Sequence, residues 1–137
     1  MTASRAPGLL LGFTPQAQAP GRTTWTYVVD PAHFNPHGAL HGGVVMALLD
    51  TAMGYAVATL VDPDGSFNVA AQMNVHFLEP VRAGTLAATA TVRKRGKRLA
   101  VVEAEATDSD GRVVAIATAS HTIISRKAAS GSAPDRS

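Results

Sequence analysis

The residues best suited to chemistry in this 137-residue chain are concentrated between positions 35 and 50, in the run Asn-Pro-His-Gly-Ala-Leu-His-Gly-Gly-Val-Val-Met-Ala-Leu-Leu-Asp. One carboxylate, Asp50, stands among apolar and small residues. Turning a carboxylate toward a core costs on the order of several kcal/mol unless it is paired or hydrated. No Lys or Arg lies within a helical turn of Asp50 to pair with it. A carboxylate kept in such a place suits proton abstraction or nucleophilic attack, with an ion pair to a distant strand as the structural alternative.

Eight residues earlier, Gly42 and Gly43 follow His41 where an apolar segment begins. The first amides of a helix have no intrahelical acceptor and lie at the positive end of its dipole, and glycine lets another molecule come close to them. That arrangement suits a developing oxyanion, although a Gly-Gly pair also serves simply to turn a chain. A helical rise of about 1.5 Å per residue would separate Gly42 from Asp50 by roughly 12 Å, too far for both to flank one carbonyl carbon. A two-fold dimer removes the conflict, because Gly42 of one subunit can then meet Asp50 of the other, giving two equivalent sites.

Other chemistries find less support. His33, His37 and His41 recur every four residues, but Pro36 and Gly38 interrupt any helix that would align them, so no metal site is expected. Neither a G-x-S-x-G nucleophile elbow nor a glycine-rich nucleotide loop occurs. Ser120 and His121 are adjacent, and neighbours on a strand point to opposite faces, so the pair carries no triad meaning. Gln72 and His76 share a strand face and would line a pocket or an interface. The chain has no cysteine, which removes disulfides, thiolate metal sites and a cysteine nucleophile, and suits a cytoplasmic protein.

The elements that must hold these residues are legible in outline. With 46% hydrophobic residues the chain can build one continuous core. Residues 23–29, Thr-Thr-Trp-Thr-Tyr-Val-Val, predict a strand that stops at Asp30-Pro31. From Val44 to Leu60 apolar residues fall on every face, which predicts a helix buried nearly all round. Asp50 near its middle, and the lack of a second such segment, make it a core helix, not a membrane span. Four further strands are predicted at 68–78, 85–95, 99–107 and 113–124, separated by short Gly- or Pro-containing breaks that make sequential strands antiparallel neighbours.

The expected architecture is therefore α+β, one long buried helix wrapped by a curved, mainly antiparallel sheet of five to six strands. Residues 1–20 form a partly ordered N-terminal segment, 21–125 the domain, and 126–137 a small, polar tail expected to be disordered. The apolar run at Leu9 to Phe13 is too short for a secretory leader. A net charge of +2, with basic residues gathered at 93–98, does not call for nucleic acid.

The run from Asn35 to Asp50 closely resembles the signature of hot-dog fold acyl-CoA thioesterases of the phenylacetate-pathway (PaaI) type. The segments Met-Asn-Val-His-Phe-Leu-Glu-Pro-Val-Arg-Ala-Gly, from Met73, and 94–123 are similar to that family's later strands, so the resemblance covers about residues 8–125. It implies hydrolysis of an acyl-CoA thioester without metal or redox cofactor, coenzyme A being part of the substrate. It further implies a homodimer with shared sites, assembling as a dimer of dimers or homotetramer. By the same resemblance Asp50 activates water or attacks the thioester itself, the Gly42 amide polarises the carbonyl, Asn35 orients water or the leaving sulfur, and His41 braces the loop. Arg82, Arg95, Lys97 and Arg98 are candidates for the coenzyme A phosphates. Where some relatives carry a hydroxyl residue three positions before the Met-Asn pair, this chain has Ala70. A hot-dog module that binds acyl-CoA without turning it over is the rival from another class.

Overall fold

A computed structural model describes residues 11–127. The chain runs β1 (Thr14–Ala19), β2 (Arg22–Val28), a single 3-10 turn at Pro31–His33, α1 (Gly42–Ala58), β3 (Ser66–Phe77), β4 (Thr85–Arg95), β5 (Leu99–Thr107) and β6 (Val113–Ser125). All six strands join one antiparallel sheet in the order β1-β2-β4-β5-β6-β3. The α+β wrap expected from the sequence is the fold observed. The secretory-leader reading, and the expectation of disorder for the tail from residue 128 on, fall largely or wholly outside the described residues.

Alternation builds the inner face of the sheet. Leu86, Ala88 and Ala90 of β4, Ala100, Val102, Ala104 and Ala106 of β5, and Ala115, Ala117 and Ala119 of β6 are all buried at a period of two. So many alanines let the helix sit close, and α1 contacts β2 through β6. From the helix, Val45, Leu48, Leu49, Ala52, Met53, Ala56 and Val57 face the sheet. Burial of a Leu-sized side chain is worth about 1.5–3 kcal/mol, so this stripe dominates the helix's docking. Thr23 of β2 adds a buried hydroxyl that donates to the Ala52 carbonyl at 2.7 Å.

Four expectations change. The helix begins at Gly42, two residues before the predicted Val44, because the His41 side chain caps it and brings both glycines into the first turn. The helix is not buried all round: Met46, Asp50 and Ala58 are exposed in the chain. A sheet on one side covers one stripe, and the flank bearing Asp50 is left open. Residues 14–19, predicted only as a partly ordered segment, form an edge strand on β2. Finally, β3 does not lie beside β4 despite the short connection between them; β3 pairs with β6, and β4 sits between β2 and β5. The intervening segment crosses the end of the sheet, where Val81 accepts from the Leu40 amide at 2.7 Å. A short break forces a reversal but does not choose the partner strand.

Candidate active site

The loop entering α1 is fixed by its own polar groups. The Tyr27 hydroxyl contacts His33 Nδ1 at 2.7 Å and accepts from the Asp30 amide, and the two rings stack at 5.9 Å. Burial pushes the Tyr27 phenol above its ordinary pKa. Asn35 Oδ1 accepts from the amides of His37 and Ala39, at 2.9 and 3.2 Å, which leaves its amide nitrogen as the group available to a ligand.

His41 Nδ1 accepts from the Gly43 amide at 2.8 Å, and the His41 carbonyl accepts from Val44 at 2.9 Å. His41 thus caps the start of the helix. The cap leaves the Gly42 amide without an acceptor among the described residues. A Cβ at position 42 would stand 3.3 Å from two carbons of the Phe77 ring, so the glycine is what lets β3 close on the helix start. Beside that amide lies a groove of about 300 Å³ lined by Asn35, Val45, Phe77, Leu78, Val81 and Val114, among others. Asn35 and Gly42 therefore line one concavity.

Asp50 is on the same helix, eight residues on, at roughly 12 Å along the axis by helical rise. It does not line the groove and it is exposed, which corrects the reading of a core carboxylate. Neither the Arg93–Glu103 nor the Arg112–Asp108 pair involves it. One turn further on, Gly54 faces His121, with a would-be Cβ 3.8 Å from His121 Cε1.

His121 is only 2% exposed. Asn68 Nδ2 lies 3.0 Å from its Nδ1 and donates to the Gly54 carbonyl at 3.1 Å, while Nε2 has no partner among the described residues. Burial holds the His121 pKa below its ordinary value, against the opposing pull of the Asp50 charge. The sequence reading weighed His121 only as the neighbour of Ser120 and set it aside, and it did not consider Asn68. The signal was present: continuing the inward alternation Ala115, Ala117, Ala119 places His121 on the helix-facing side.

The proposed phosphate-binding cations are not one cluster within the chain. Arg95, Lys97 and Arg98 lie at the β4–β5 hairpin, near the helix's C-terminal end, where Arg95 Nε donates to the Leu60 carbonyl at 3.2 Å. The same guanidinium also bonds the Gly96 and Lys97 carbonyls. Arg82 lines a separate groove with Asp108, Ser109 and Arg112, next to the Leu40–Val81 tie at the helix's N-terminal end. A 17-residue helix, about 25 Å long, separates the two groups. Arg112 is itself committed to Asp108, whose pKa is held low chiefly by the Arg112 backbone amide.

Comparison with known proteins gives a consistent picture. Residues 37–115 match the profile of the thioesterase superfamily. The chain is 32% identical to human acyl-coenzyme A thioesterase 13 over 118 residues, 84% of this chain and 83% of that protein. It superposes on the structure of the Escherichia coli PaaI protein from the phenylacetic acid degradation operon with a TM-score of 0.79 at 32% identity, covering 85% and 83% of the two chains. It spans 63% and 51% of the length of two putative esterases of Saccharolobus solfataricus, with 34% and 40% identity.

Proposed function

The chain belongs to the thioesterase superfamily, and from that premise we propose that it is an acyl-CoA thioesterase, converting a thioester and water to a free acid and coenzyme A. The observation that carries the reading is the Gly42 amide, left without an acceptor and opening on the same groove as Asn35. A thioester carbonyl oxygen placed there would accept from the Gly42 N–H, with the Asn35 amide nitrogen as a second donor. Asp50 then either takes a proton from the attacking water or attacks the carbonyl carbon itself. The C–S bond breaks and the sulfur leaves as the coenzyme A thiolate.

Asp50 cannot serve the Gly42 of its own chain at that separation, so the working unit is a homodimer in which Gly42 and Asn35 of one subunit face Asp50 of the other. Support comes from the sheet edge. β3 is a 12-residue edge strand, and Val69, Phe77 and Leu78 on and beside it are 45–53% exposed. Long apolar edges are liabilities that a second copy can cover. Further assembly to a tetramer and a cytoplasmic setting belong to the same proposal. No helix among the described residues is long and apolar enough to cross a membrane.

The test uses aryl-acetyl, short-chain and medium-chain acyl-CoA esters with detection of the free thiol, on wild type and Asp50→Asn. Turnover in wild type and its loss in the variant are expected. Binding without turnover in wild type would make the chain an acyl-CoA-binding module, and equal turnover in both would remove Asp50 from the mechanism. Sharing is tested by mixing Asp50→Asn with Gly42→Pro subunits: recovery of activity is expected, and folded heterodimers that stay inactive would refute it.

A further inference from the structure

Hydrolysis needs Gly42 of one chain to meet Asp50 of another, and the open edge of β3 holds enough detail to set the two chains against each other residue by residue. Two contacts tie α1 to β3. Gly42 stands against the Phe77 ring, and the Gly54 carbonyl accepts from Asn68 Nδ2 at 3.1 Å. Helix and strand therefore run in opposite directions. Asp50 lies two thirds of the way from Gly42 to Gly54, and at about 100° per residue it also falls between them around the axis. It is thus on the flank that faces β3, abreast of Ala71 by proportion.

The strand has an alternation of its own. The Leu78 amide donates to the Val114 carbonyl at 2.8 Å, and β3 keeps register with β6 without a shift from Phe77 back to Gln72. Every second residue of an antiparallel strand bonds a given neighbour, so Gln72, Asn74 and His76 turn their amides and carbonyls to β6. Those of Met73, Val75 and Phe77 point to the open edge. A second β3 can bond there only by setting outward residues against outward residues, so a two-fold axis must pass through a residue and not between two. With the axis at Asn74, Phe77 lies opposite the partner's Ala71, and Gly42 comes abreast of the partner's Asp50. Moving the axis to Met73 or Val75 slides the partner by two residues, roughly 7 Å, and Gly42 misses Asp50 by about three residues of helix.

We propose that two copies join through β3 with the two-fold axis at Asn74, forming one continuous antiparallel sheet with both α1 helices on the same face. The inference rests on the thioesterase reading for the demand that Gly42 reach Asp50, and it goes on to name the contacts. Met73 and Val75 exchange N–H to carbonyl bonds with the partner's Val75 and the partner's Met73, and their side chains meet on the helix side of the sheet. On the other side Gln72 meets the partner's His76, two polar groups able to hydrogen-bond. Phe77 and Leu78, each more than half exposed in the single chain, fall against the partner's Ala71 and the partner's Ala70, whose methyl groups leave room for them. Ala71 is skipped by the β3–β6 ladder and gains its neighbour across the axis. Large residues at one end of the edge and small ones at the other make it complementary to a copy of itself.

The chain has no cysteine, so introduced thiols report the register directly. Position 74 faces itself across the axis in a non-hydrogen-bonded pair, where Cα atoms approach to about 4.5 Å and a disulfide fits. Asn74→Cys, oxidised with copper phenanthroline at micromolar protein, is expected to run as a covalent dimer on a non-reducing gel. Gln72→Cys or His76→Cys alone sets its two thiols roughly 13 Å apart along the strands and should stay unlinked, whereas the double variant should link position 72 to position 76. The linked Asn74→Cys dimer should keep its kcat on acyl-CoA esters within about twofold of the reduced form. Urea melts check that each variant folds, and the double variant carries the same test should Asn74→Cys fail to fold.

A folded Asn74→Cys chain that does not link, or linking by Gln72→Cys or His76→Cys alone, would overturn the register. Wild-type turnover of acyl-CoA in that case would leave the thioesterase reading standing. Linking at position 74 in a protein that turns over no acyl-CoA would do the reverse.

Discussion

Replacing Gly42 by alanine separates the folding role of the helix start from its chemical role. The new Cβ would lie 3.3 Å from Phe77 Cε1 and Cζ, some 0.4–0.7 Å inside the usual contact distance for carbon atoms. Phe77 is 53% exposed, so the ring can swing outward without opening a cavity. The strain is thus of the order of 1 kcal/mol, and alanine gains up to about 1 kcal/mol over glycine in helix propensity. The two effects nearly cancel, and the unfolding free energy from urea melts should stay within about 1 kcal/mol of wild type. Activity should not follow. The methyl group and the displaced ring both crowd the Gly42 N–H and the groove beside it, and loss of one oxyanion donor costs about 100–1,000-fold in kcat.

The assay pairs urea melts with thiol release on the best ester of the panel, for Gly42→Ala and for Gly42→Ala with Phe77→Leu. Relief of crowding in the double variant should recover part of kcat. Should Gly42→Ala keep kcat/KM within about threefold of wild type while folding normally, the Gly42 amide is not the carbonyl donor, and the reasoning from its free hydrogen bond fails.

Three further outcomes follow from named contacts. His121 has a folded pKa below the ordinary value of about 6.5, so on acidification the unfolded chain takes up a proton first; stability should fall as pH drops through about 6.5, and His121→Gln should flatten that part of a stability–pH curve. Thr23→Val removes the buried hydroxyl from the Ala52 carbonyl and should cost about 1 kcal/mol in urea melts, with no change in kcat/KM. Val69→Lys places a charge on the β3 edge, and in sedimentation it should shift the protein to monomer with loss of activity, while melts of the monomer retain a cooperative transition; an intact, active dimer would move the shared interface elsewhere.

Much of this molecule is local enough to read along the chain. The bounds of β4 and β5 at 85–95 and 99–107 match the sequence reading to the residue, because alternation and Gly-containing turns are fixed within a few neighbours. The stretch from Asn35 to Asp50 announced a loop, a helix start with accessible amides and a solitary carboxylate, and the 12 Å spacing along one helix followed from rise alone. What no local pattern could supply is which distant segments meet. Pairing of β3 with β6 rather than β4 sets Ala70 opposite His121 and brings both to the flank of the helix where Asp50 stands. Placement of β3 at the sheet edge leaves that flank, and the carboxylate, open in the chain. The lengths of sheet and helix send Arg82 and the β4–β5 hairpin to opposite ends of the helix. Each of these turns on strand order, a choice among contacts far apart in sequence that is made by packing the whole core at once, and so it belongs to the tertiary structure alone.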